Sequence, residues 1–260
     1  MTDTPVRVWY QSFVDPDEQA PYITRLQAAL DAAAAPGFDF EVHGLTPPDR
    51  HFSPLTEFRC AAQTIRNALE AEHAGYDAFV IGHFQEPGLL ECRSSLGIPV
   101  IGLGEATLLQ ACAMARRIGL VTIDPVFIPW HEAQVAHHGL AARVAGVRAV
   151  HFDLPAFMRA FTDEAAWREA RDQFLGQLRP LVAAGAEILI PAGGLPMLML
   201  GRERGLAVDG APVLNGIPVA VKAAETAIQL QRLTGIVASR TGTYAKAPAA
   251  AIDEFLAGRW

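Results

Sequence analysis

Two apolar runs, each closed by a small-residue turn and followed by a short helical stretch, set the strongest limit on how this chain folds. The first lies in YDAFVIGHFQEPGLLECRSSLGIPVIGLGE, residues 76–105. Residues 78–81 read as a buried strand that breaks at Gly82-His83, with a short helix after Pro87 and a second strand over residues 98–103. Apolar runs without polar alternation are the mark of parallel strands covered on both faces. Ligands of open α/β sheets bind just beyond the carboxyl ends of such strands, and His83 stands at that place.

A weaker copy of the unit follows about a hundred residues later, in AEILIPAGGLPMLMLGRERGLAVDGAPVLNGIP, residues 186–218. The openings correspond too: VRVWYQS (residues 6–12) and RIGLVTI (residues 117–123) are each a strand ending in polar or small residues. Strands alternate with helical patterns in both halves, and each parallel crossover needs a helix kept on the sheet face by the right-handed rule. The chain is therefore expected to be an α/β protein of two pseudo-symmetric lobes. Each lobe has a parallel sheet flanked by helices, and the active site lies in the cleft between them. Lobe A is read as residues 1–105 plus 220–260, lobe B as residues 106–219. The His83 turn and the Ala192-Gly193-Gly194 turn are expected to oppose across the cleft.

Between these landmarks, a helix follows the capping signals of DPDEQAP, and FDFEVHGL (residues 38–45) alternates as a strand. The loop TPPDRHFSPLTE carries His51 and Glu57 and leads to a helix over residues 58–71. Further helices are read at residues 106–116, after Pro129, at residues 162–185 and from Val219, with a short one at the end. RAVHFDLP reads as a strand with His151 near its end.

At 260 residues, with 51% hydrophobic residues, there is ample material for sizeable cores. A net charge of -7 and the lack of any Lys/Arg block exclude a nucleic-acid partner and disfavour a membrane surface. The first twenty residues have no basic start followed by an apolar core, and no run of about eighteen apolar residues exists, so a cytoplasmic protein with a small-molecule substrate is expected. Assembly with identical copies stays open. No GxGxxG or GxxxxGK[ST] follows a strand, so no nucleotide cofactor is expected.

An imidazole at the end of an apolar strand can serve as base, nucleophile or metal ligand. Glu86, three residues beyond His83, either caps the helix after Pro87 or orients the imidazole. The Ala192-Gly193-Gly194 turn offers backbone N–H groups suited to a carboxylate or an oxyanion, or is a plain tight turn. The eight histidines include no HxH or HExxH spacing. His137 and His138 are adjacent and point apart, whereas His83, His131 and Glu57 form a candidate set for a divalent metal, the alternative being no cofactor at all.

At GHFQEPGL, GIPVIGLGEA, GGLPML, NGIPVAVKAAETA and SRTGTYAKAP the chain resembles the aspartate/glutamate racemase superfamily, nearest its hydantoin racemase branch. The resemblance implies two α/β lobes with one cysteine from each acting on opposite faces of a carbon acid. Here His83 holds the first cysteine position and Ala192 the second. The resemblance implies substrate contacts from Gln11 and Ser12; Phe84, Ala192, Gly193, Gly194 and Asn215 are expected to complete them, with His83 and Glu86 as the catalytic pair. Since the methyl of Ala192 exchanges no proton, the site reads as one-sided, and one-sided sites suit attack on a carbonyl or cleavage. The expected activity is thus hydrolysis or lyase-type cleavage of a cyclic ureide, a (thio)hydantoin or a small carboxylate, with His83 central. The alternatives are racemisation by His83 with an unidentified second acid, Asn215 and Glu105 being the first positions to test, and a non-catalytic small-ligand binding protein.

Cys60, Cys92 and Cys112 show neither CxxC nor CxxxC spacing and none sits at a strand-end turn. Replacing all three with Ala or Ser is expected to retain most turnover. A loss of activity at unchanged stability would show that a thiol has entered the site.

Overall fold

The computed structural model describes residues 5–258; residues 1–4 and 259–260, counted in lobe A above, lie outside the described residues. Strand β1 (Val6–Gln11) is followed by helix α1 (Ala20–Ala33), β2 (Phe38–His43), α2 (Pro54–His73), β3 (Ala78–Ile81), α3 (Leu89–Ser95) and β4 (Val100–Gly102). All pairings are parallel, in the order β2-β1-β3-β4. After α4 (Leu103–Met114) the second half runs through β5 (Ile118–Thr122), α5 (Ile128–His137), β6 (Val144–Ala149), α6 (Leu154–Met158), α7 (Glu164–Ala183), β7 (Ile188–Pro191) and α8 (Gly194–Leu200). Its sheet has the order β6-β5-β7, again parallel. A small antiparallel pair, β8 (Ala207–Val208) and β9 (Ala211–Pro212), precedes α9 (Gly216–Thr234) and α10 (Ala249–Leu256).

The repeat read from the sequence is a repeat of topology. Where the first sheet adds β4 beside β3, the second adds a single parallel bridge, Leu189 to Val213, beside β7. The apolar runs are buried on both faces as expected. Val8, Tyr10 and Val80 face one core, while Trp9, Phe79 and Ile81 face a second on the other side of the first sheet. Among the described residues no helix is long and apolar enough to cross a membrane.

Several boundaries shift for physical reasons. Helix α2 begins at Pro54 rather than residue 58, because Ser53 and Thr56 form a reciprocal capping box. Glu57 therefore lies in its first helical turn. Helix α4 begins at Leu103, inside the stretch read as strand, because its backbone N–H at Glu105 finds a carboxylate partner, Oε1 of Glu86, at 2.6 Å. The strand expected in RAVHFDLP stops at Ala149, leaving His151 beyond its end. The lobe limits at 105/106 and 219/220 fall inside α4 and α9, two helices that pack on each other. Helix α9 lies against α1, β3 and β4, and its Glu225 accepts the backbone N–H of Ala35 at 2.7 Å.

Gly104 sits where α4 crosses the segment after β3. A Cβ there would lie 2.2 Å from the Phe84 carbonyl oxygen and 2.4 Å from Nε2 of Gln134. Backbone cannot yield as a side-chain tip can, so Gly104→Ala is expected to destabilise the protein by about 2–3 kcal/mol, the upper range for overpacking. Urea unfolding would measure it, and a loss below about 0.5 kcal/mol would place the substitution with ordinary surface changes instead.

Candidate active site

The turns after β1, β3, β5 and β7 converge on one cavity of about 770 Å³, a volume suited to a small organic ligand. The first sheet contributes Ser12, Gly82, His83 and Phe84. The second contributes Thr122, Asp124, His151 and the Ala192-Gly193-Gly194 turn. The two key turns do oppose: a Cβ on Gly194 would be only 2.9 Å from the carbonyl oxygen of Gly82. Gly82 itself is required, since a Cβ would fall 2.3 Å from the Tyr10 ring. This crowding sets where His83 enters the cleft.

His83 packs against Phe13, with ring centroids 4.5 Å apart. Its Nδ1 is buried and makes no hydrogen bond. One carboxylate oxygen of Asp49 and one of Glu57 are likewise buried without a partner, and the three side chains offer ligand atoms all within 4.8 Å of one another. Burial raises the Glu57 carboxyl above its ordinary range, and His83 opposes that rise. On the opposite side, Nδ1 of His151 lies 3.3 Å from Oδ2 of Asp124, and both residues line the cavity. Tyr22 is buried and lines the cavity beside the second turn, its hydroxyl 3.4 Å from where a Cβ on Gly194 would stand.

Four expected site residues do other work. Glu86 neither caps the helix after Pro87 nor reaches the cavity: its carboxylate caps α4 and meets Gln134 at 3.1 Å and His138 at 3.5 Å. Gln11 is fully buried. Its amide nitrogen donates to the Ser12, His43 and Gly44 carbonyls, and its oxygen accepts from Trp9 and Asn67, so nothing is left for substrate. Asn215 caps α9 through the Ile217 N–H at 3.0 Å and faces a separate small pocket. Glu105 is paired with Arg93. In the metal set, His131 stays outside the cluster that Asp49, Glu57 and His83 form. Its ring is fully buried against Phe84 and Phe127. Ser12, Phe84, Ala192, Gly193 and Gly194 do line the cavity, although the Ala192 N–H is already bound to the Val121 carbonyl at 2.7 Å.

Asp49, Asp124 and His151 are the residues that sequence reasoning missed as site members. Asp49 lies in a turn-rich loop, and Asp124 and His151 follow different strands. Their position at or just beyond strand ends is the one signal that could have singled out the last two.

Twin parallel α/β lobes thus place the turns at the carboxyl ends of both sheets around one two-walled cavity. The Asp/Glu/hydantoin racemase family model matches residues 17–224, and the chain belongs to that family. It is 32% identical over 178 residues to a hydantoin racemase of Rhizobium meliloti, covering 68% of each chain. It is 29% identical over 207 residues to that of Pseudomonas sp. strain NS671, covering 78% of this chain and 80% of the other. Among solved structures, allantoin racemase from Klebsiella pneumoniae superposes with a TM-score of 0.76 at 26% identity, covering 94% of each chain. These relatives are racemases, which moves the expectation away from hydrolysis or lyase cleavage and toward isomerase chemistry.

Burial holds His131 neutral, with its pKa lowered to about 4 from 6.5. The unfolded chain therefore takes up a proton that the folded one refuses between those values. Stability is lost as pH falls from about 6.5 to about 4, by roughly 3 kcal/mol from this residue. His131→Gln is expected to flatten that part of the pH profile in denaturant melts, and a variant with the wild-type slope would contradict the assignment.

Proposed function

We propose that the protein is an isomerase that moves a proton at the ring carbon next to a carbonyl of a hydantoin-like cyclic ureide. The observation that carries this reading is the presence of one imidazole on each wall of a single cavity, His83 from the end of β3 and His151 beyond β6. The carbon acid is the same class of target as in the racemases that the chain resembles, but the carriers differ. A neutral His83 can take the proton on one face, leaving an enolate, and a protonated His151, held by Asp124, can return one on the other. Reversing both roles runs the reaction backward. Ala192 takes no part in proton transfer, so the second carrier comes from the β6 end in place of the β7 turn. The ring is sandwiched where the two turns approach, and the cavity walls supplied by Phe13, Phe84 and Leu195 suit its apolar faces.

The test is a single enantiomer of a 5-substituted hydantoin in deuterated water, followed by chiral chromatography and mass spectrometry. Solvent deuterium should appear in the opposite enantiomer faster than in the enzyme-free control. His83→Ala and His151→Ala should each lower the rate by about 10²–10⁴-fold, the usual worth of a positioned acid or base. Ring opening without exchange would overturn the reading, and undiminished racemisation by the His151 variant would remove that residue from its role.

A further inference from the structure

His83, which the resemblance places where the family has a cysteine, is accompanied by a second feature that a proton carrier does not require. Three side chains from three segments bring oxygen and nitrogen donors to one point: Asp49 from the loop before α2, Glu57 from the first turn of α2, and His83 from the end of β3. We propose that Asp49, Glu57 and His83 bind a divalent transition-metal ion on the first-sheet wall of the cleft.

The donors are built in place. Asp49 is only 8% exposed, and its Oδ1 accepts the backbone N–H groups of His51 and Phe52, each at 3.2 Å. That fixes the carboxylate while Oδ2 is left buried with no partner. The Ser53–Thr56 capping box fixes the turn from which Glu57 projects, and Oε2 of Glu57 is also buried and unpartnered. Nδ1 of His83 completes the set. Buried polar atoms are nearly always satisfied, so three side chains that each hold a buried atom without a partner, and that offer ligand atoms within 4.8 Å of one another, call for a shared partner. Two neighbouring carboxylates repel unless one takes up a proton or a cation lies between them, and a cation relieves both at once. A hydrogen-bonded imidazole and carboxylate would have been an alternative, but no hydrogen bond joins the three groups, and a shared ion about 2.0–2.2 Å from each needs only small side-chain movements.

One imidazole and two carboxylates form a mixed nitrogen and oxygen set suited to zinc, cobalt, manganese or iron rather than to an all-oxygen ion. Three protein ligands, with His83 and Asp49 lining the cavity, leave a coordination position open toward it, the arrangement of sites that act on a bound molecule. When bound, the ion supplies Lewis acidity to a carbonyl or a water in the cleft. An imidazole that holds the ion through Nδ1 keeps its proton on Nε2 and cannot also be the base of the isomerase reading, so His83 serves that reading in the metal-free chain; ion uptake is measured without substrate and fails or succeeds separately from it.

The experiment is a titration of the chelator-treated, dialysed full chain with Co²⁺, followed by visible absorption and by metal analysis after gel filtration. Close to one equivalent should bind, with ligand-field bands in the visible. Asp49→Asn, which keeps the Oδ1 acceptor for the loop, and Glu57→Gln should each weaken binding at least tenfold, while His137→Gln, away from the cluster, should not. Co²⁺ should also raise the melting temperature of the wild type but not of Glu57→Gln, whose far-UV circular dichroism verifies its fold should the Asp49 variant fail to fold. Absence of a bound equivalent, or equal binding by wild type and both ligand variants, would overturn the proposal.

Discussion

The cleft depends on one buried carboxylate, that of Glu86. It leaves the first sheet just after β3 and reaches the N-terminus of α4, Gln134 of α5 and His138 just beyond the end of α5. Elements from both halves are thereby held to the turn that carries His83. The space for it is made by glycines: a Cβ on Gly102 would lie 2.0 Å from Oε1 of Glu86. Glu86 adopts a left-handed backbone with φ of 59°, uncommon outside glycine and sustained where surrounding contacts over-determine it. His138 returns the interaction, since the Glu86 carboxylate raises its pKa, so the pair is strongest when His138 carries its proton.

This explains why Glu86 misled as a catalytic candidate. Three residues from His83 it looks like an orienting carboxylate, but the left-handed turn at Glu86 sends its side chain away from the cavity. The carboxylates that do stand beside the imidazole, Asp49 and Glu57, are 34 and 26 positions away in the numbering of the chain. No local pattern announces such a meeting. It depends on β1, β2 and β3 lying side by side, which brings the loop after β2 next to the end of β3.

The architecture was legible because it is written in local pattern. Continuous apolar runs gave the buried parallel strands, and the spaced copy of 76–105 in 186–218 gave the twin lobes, even though the second copy's last strand has shrunk to the Leu189–Val213 bridge. Boundaries failed where a cap came from elsewhere, as when Glu86 started α4 three residues earlier than the pattern of 106–116 indicated. That His83 and the 192–194 turn line one cavity was legible from their places at strand ends. Gln11 and Asn215 were misread because a polar side chain at a strand or helix end is as useful to the backbone as to a ligand, and here the backbone takes both.

Helix α9 has a consequence for how the chain is made. It comes from residues 216–234 yet packs on α1, β3 and β4, and its Arg232 pairs with Asp77 at 3.2 Å. During synthesis, the first sheet emerges long before the helix that covers it. Its apolar face stays open until most of the second lobe has left the ribosome, so the first lobe cannot mature as an independent unit. The two lobes, alike in topology, are thus unequal in sequence: the first is completed by a helix from the last third of the chain, which also packs on α4 and α8.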